Sequence, residues 1–121
     1  MNSDLSDVLK YSDEVAAAIA SGSPIVALES TIISHGLPRP TNLEVAREVE
    51  AIVREHGATP ATIAVIDGSV HIGLSDAELV TIATRDNILK ASSRDLAIAV
   101  AFGKSAATRP RLIVPTALDP V

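Results

Sequence analysis

A chain of 121 residues with 47% hydrophobic and 21% charged side chains has the size and make-up of one globular domain, and it is too apolar for a disordered segment. Its formal net charge of -5 leaves no basic excess to neutralise a phosphate backbone, which excludes a general nucleic-acid binder but not a single phosphate on a small ligand. Cysteine is absent, so disulfides and thiolate metal sites are excluded and a reducing compartment fits. Met1-Asn2-Ser3-Asp4 lacks the basic start of a signal peptide, and no apolar run approaches the ~20 residues of a membrane span. The expectation is a soluble cytoplasmic protein.

Tyr11 and Phe102 are the only aromatics. The core must therefore be built from Ala, Val, Ile and Leu, as in α/β proteins whose strands are covered on both faces. In chain order, Asp13 to Ala20 reads as a helix, with Ser12 as N-cap and Gly22 past its end. Ile25-Val26-Ala27-Leu28 is a short buried strand, and Glu29 to Pro40 a polar, proline-containing loop. Thr41-Asn42-Leu43-Glu44 has the capping-box pattern, with Thr41 as the expected cap. Val45, Val49, Ile52 and Val53 continue at helical spacing to Gly57.

Ala61 to Ile66 is the next strand, closed by Asp67-Gly68, and Val70-His71-Ile72 returns as a hairpin partner. Ser75 to Glu78 is a second capping box, opening a helix to about Arg85. Asn87 to Ala91 predicts a third strand, and Ser92 or Ser93 caps a helix from Arg94 to Phe102. The alternation predicts a layered αβα unit with a mostly parallel sheet.

Residues 104–121 differ in kind. They hold Pro110, Pro115 and Pro120, no glycine, and Lys104, Arg109 and Arg111 against Asp119 alone. The first 103 residues carry seven basic and fourteen acidic side chains. Spaced prolines leave room only for a short strand at Leu112-Ile113-Val114. The expected division is a domain over 1–103 and a divergent tail over 104–121, such as a shifted reading frame would leave.

Glu29 ends an apolar strand, where α/β folds place ligand crevices. Partial burial there would favour its protonated form and make it a proton donor; the same position also suits a structural carboxylate. The run Ser30 to Gly36 is rich in hydroxyls that fix either a sugar phosphate or the loop's own backbone. Lys90, at a strand end before a helix start, suits a phosphate cradle or plain solvent exposure. His35, His56 and His71 show no metal-ligand spacing.

Val26-Ala27-Leu28-Glu29-Ser30-Thr31-Ile32-Ile33-Ser34-His35-Gly36 closely resembles the signature of the pseudouridine-5'-phosphate glycosidase, or indigoidine synthase A-like, family. Gly57 to Ala64, Val70 to Ser75 and Lys90 to Leu96 agree in order and spacing. The resemblance covers roughly residues 10 to 108, the N-terminal part of the family chain, and so implies an incomplete domain. It implies reversible carbon–carbon cleavage of pseudouridine 5'-phosphate to uracil and ribose 5-phosphate, with Mn2+, in a homotrimer. Glu29 matches the proton donor and Lys90 a substrate-binding lysine. The Schiff-base lysine and the metal-binding aspartate match nothing in this chain. Gly103 to Pro110 departs from the family's Gly-Lys-Asn-Gly-Ala-Thr-Thr-Val: its glycine is Ala106, and its valine, a substrate contact, is aligned with Pro110.

Overall fold

The computed structural model describes residues 9–90, 101 and 103–107. Its elements in chain order are β1 (Leu9–Tyr11), α1 (Asp13–Ser21), β2 (Ile25–Leu28), a π-helical turn (Ile32–Gly36), α2 (Thr41–Glu55), β3 (Thr59–Ile66), β4 (Ser69–Ile72), α3 (Asp76–Thr84), β5 (Leu89–Lys90) and β6 (Ala106–Ala107). The helix expected over Arg94 to Phe102 lies almost entirely outside the described residues, and the strand expected at Leu112 to Val114 lies wholly outside them.

The start and stop signals act as their chemistry dictates at α1 and α3. Ser12 Oγ accepts from Val15 N–H, and Gly22 closes α1 at φ 73°. Ser75 and Glu78 form the reciprocal capping box of α3. At α2 the expected cap is not made: Pro40 holds the N-cap position with no side-chain bond, and Thr41 is the first helical residue. The reason lies in the loop carbonyls. Pro38 C=O takes Asn42 N–H, Pro40 C=O takes those of Leu43 and Glu44, and no donor remains for a threonine hydroxyl to serve.

β3 is the axis of the sheet, in the order β1-β4-β3-β6-β5 with β2 also on β3. The pairs β1–β4, β2–β3 and β5–β6 are parallel; β3–β4 and β3–β6 are antiparallel. Successive residues of a strand aim their backbone groups at opposite edges. Thr62 C=O receives Gly73 N–H on the β4 edge, while Thr59 N–H reaches Pro24 on the other. β2 runs along Thr59 to Thr62 on that second edge, and β6 runs along Ala64 and Val65 in the opposite sense.

Side chains of β3 alternate between faces. Ala61, Ile63 and Val65 pack with Val15, Val70, Ile72 and Ala106 on the α1 face. Ala64 packs with Ile33, Ala46, Leu79, Ile82 and Ala107 on the face covered by α2, α3 and the π-turn. The three-layer αβα order follows. β1 and β6 are additions to the sequence reading. Ala106 and Ala107 are fully buried between β3 and β5, so the folded unit extends past residue 103.

Candidate functional site

β2 delivers Glu29 to the middle of the sheet. Leu28 pairs with Thr62, so Glu29 follows just where β2 leaves β3. There Ser30 turns inward, fully buried, and its hydroxyl donates to Ile63 C=O at 2.6 Å. That carbonyl falls between the stretch of β3 paired by β2 and the stretch paired by β6. The loop beyond is held by polar ties: Ser34 Oγ to Ile82 C=O at 3.0 Å, and Asn42 Nδ2 to Ile33 C=O and Ala83 C=O at 2.9 and 2.7 Å. Arg39, before a cis bond to Pro40, reaches Ala83 C=O, Arg85 C=O and Asp86. The hydroxyls of this run thus serve their own scaffold first.

Glu29 borders a cleft of about 130 Å³ whose other walls are Leu28, Ile32, Ile33, Leu37, Asn42, Val45, Ala46, Val49 and Thr62. Glu29 is an exposed residue: β2 leaves the sheet at Leu28 and carries it out to the rim. Beneath the cleft lies a group the sequence reading missed. Glu50, buried on α2, accepts from Thr62 Oγ1 at 2.7 Å and is approached by Arg54 at 3.4 Å. Its i, i+4, i+8 spacing with Ala46 and Asn42 was the available signal, obscured by the polarity of two of the three.

Lys90 ends β5 in register with Ala107, which is opposite Ala64. The two strand ends carrying Glu29 and Lys90 therefore come together beside Thr62 and Ala64. They do so from opposite directions, not at one end of a parallel sheet, because β5 and β6 run antiparallel to β3. His35 is exposed on the π-turn. Pro110 lies outside the described residues. Among the described residues no three His, Asp or Glu side chains converge in a way that fits a metal ion.

A second, polar cleft of about 420 Å³ opens where α1 and α3 begin, among Lys10, Asp13, Arg54, His71, Asp76 and Glu78. Its charges are mostly spent on one another. Arg54 forks onto both Glu14 oxygens at 2.8 and 2.9 Å, and Arg47 onto both oxygens of Asp76 at 2.9 and 2.8 Å. These forks hold the Glu14 and Asp76 carboxyls below the usual range. His71 Nδ1 lies 3.2 Å from Glu78 Oε2. Burial depresses its pKa, the Glu78 carboxylate pulls the other way, Lys10 adds to the depression and Asp67 opposes it. The ring is then mostly neutral at neutral pH, so its approach to the Glu78 carboxylate is not a full ion pair.

No helix among the described residues is long and apolar enough to cross a membrane. The family profile described as "Indigoidine synthase A like protein" matches residues 14–110. Pseudouridine-5'-phosphate glycosidase 1 of Rhizobium johnstonii is 57% identical over 100 residues, which are 83% of this chain and 32% of that protein. The pseudouridine-5'-phosphate glycosidase of Deinococcus radiodurans is 54% identical over 107 residues, 88% of this chain and 34% of its own length. Among solved structures, the prealnumycin C-glycosynthase AlnA in complex with ribulose 5-phosphate is 39% identical at a TM-score of 0.72, over 85% of this chain and 33% of that one. An indigoidine synthase A-like protein of Thermotoga maritima gives 35% identity and the same TM-score. The chain spans about a third of the length of the relatives it matches. On the match over residues 14–110, it belongs to the indigoidine synthase A-like family.

Proposed function

We propose that this chain carries the proton donor and part of the sugar-phosphate site for reversible cleavage of the carbon–carbon glycosidic bond of pseudouridine 5'-phosphate. The observation that carries this reading is the meeting of two strand ends, with Glu29 and Lys90, beside a cleft at the middle of β3. Glu29 supplies the proton that the cleavage requires. Lys90 supplies a positive charge for the phosphate, and the hydroxyl-rich loop fixes the sugar. Mn2+ and a homotrimeric assembly belong to the same reading by resemblance, with the metal's ligand outside this chain.

A proton donor alone contributes about 10²–10⁴-fold. The isolated 121-residue chain is therefore expected to bind ribose 5-phosphate and to release no uracil from pseudouridine 5'-phosphate, even with Mn2+ supplied. Backbone amide spectra recorded during a ribose 5-phosphate titration check this. Shifts should concentrate at Glu29 to Ser34 and at Lys90, and should weaken in Lys90→Gln. Shifts centred on the polar cleft at His71, or Mn2+-dependent uracil release by the isolated chain, would overturn the assignment.

A further inference from the structure

The aliphatic positions of α2 are divided: Leu43 packs on the core, whereas Val49 and Ile52 do not. The buried residues of the helix are Asn42, Ala46 and Glu50, two of them polar and tied down by hydrogen bonds. The aliphatic positions Val49 and Ile52 are 38% and 46% exposed. Scattered exposed aliphatics are ordinary, but these are not scattered. Val49 walls the cleft at Glu29 together with Ile32, itself 46% exposed. Ile52 lies one turn on, and Val26, 40% exposed, shares a face of β2 with Leu28 of the cleft wall. Among the described residues β2 pairs with β3 alone, so the patch adjoins a strand edge with no partner strand among them. Such an edge beside such a patch marks a contact surface.

We propose that this surface, formed by the β2 edge with Val26, Ile32, Val49 and Ile52, docks the part of the family fold that follows the matched stretch. Two observations name the occupant. The relatives are about three times as long as the stretch they share with this chain. The match ends at residue 110, shortly after β6, whose Ala107 is level with Ala64 and so beside the end of β2. A continuation of the family fold beyond the match would set out from next to the patch. The proposal rests on family membership and not on the catalytic roles given above.

The test co-expresses tagged full-length chain with the segment of the Rhizobium johnstonii relative that follows its matched stretch, and scores co-purification by mass. The wild-type chain should retain the segment at one to one, and a Val49→Asp/Ile52→Asp double variant should retain at least tenfold less. The same variant alone should keep its thermal midpoint within about 4 °C, as for surface substitutions. A single polypeptide joining residues 1–107 to the same segment guards against poor expression of the separate piece; there the double substitution should lower soluble yield severalfold. Failure of wild-type retention together with a joined chain indifferent to the substitutions would overturn the proposal. So would a homo-oligomer of the chain alone that the double variant disperses. Because mass and yield are read, a catalytically dead complex still supports docking, and only the ribose 5-phosphate titration bears on the site.

Discussion

The two faces of the sheet are built from different materials. Toward α1, Val15, Ile63 and Val65 are completely buried among other aliphatics, and no polar side chain is needed to hold the layer. Toward α2 and the π-turn, aliphatic packing is interrupted by Asn42, Glu50, Thr62 and Ser34, each bonded to backbone or to a neighbour, and a cleft remains. Non-directional packing makes the first face tolerant of shape and costly to hollow out. Directional bonds make the second face fix a loop geometry, which a site requires and a scaffold does not.

Substitutions on each face test that contrast. The largest effect is expected from Ile63→Ala on the closed face, about 2–5 kcal/mol of global stability, read as a lower urea midpoint with an unchanged slope. Asn42→Ala on the other face should cost about 1–3 kcal/mol by removing the Asn42 donor from the Ile33 carbonyl and leaving the Ala83 carbonyl to Arg39 alone. Its signature should be faster amide exchange across Ile33 to Gly36, and equal loss of protection throughout the sheet would erase the distinction.

A smaller effect concerns pH. The folded pKa of His71 is depressed below the ordinary 6.5, chiefly by burial. Protonation therefore favours the unfolded chain, and stability is full above about pH 6.5 and falls as pH drops toward the folded value. His71→Gln should flatten that limb in denaturation curves between pH 7 and 5, with Glu78, Lys10 and Asp67 left in place. Smallest is Glu14→Gln. Its fork with Arg54 is largely solvent-exposed, so the loss should stay below about 1 kcal/mol. That stability is present above the ordinary carboxylate pKa and disappears as pH falls through the depressed one, so wild type and variant should converge in acid.

Legibility in the sequence followed locality. α1, α3 and the β3–β4 hairpin were readable because Ser12, Gly22, the Ser75–Glu78 box and Asp67-Gly68 act within a few residues of themselves. β1 was not, since Leu9-Lys10-Tyr11 becomes a strand only by pairing with Val70 to Ile72. Neither was β6, where two alanines carry no strand preference of their own. At the site, Glu29 and Lys90 were recognisable as strand ends, but their approach from opposite directions depends on β6 reversing the local sense of the sheet. The burial of Asn42 and Glu50 on α2 was the least legible feature, because it is decided by Thr62 and by backbone carbonyls distant in sequence.

The short interval between β2 and β6 also limits how this chain can change length. Both strands lie on one edge of β3 and meet head-on, with the Ser30 hydroxyl on Ile63 C=O filling the space between them. That interval works as a gauge: an added residue between Ile25 and Ser30 must push Ser30 off Ile63 or Ala107 off Ala64. The same addition at Ser21 to Ser23, where the chain is exposed between α1 and β2, meets no opposing strand. Insertions and deletions should accordingly be tolerated before β2 and excluded within it, whatever becomes of the chemistry at Glu29.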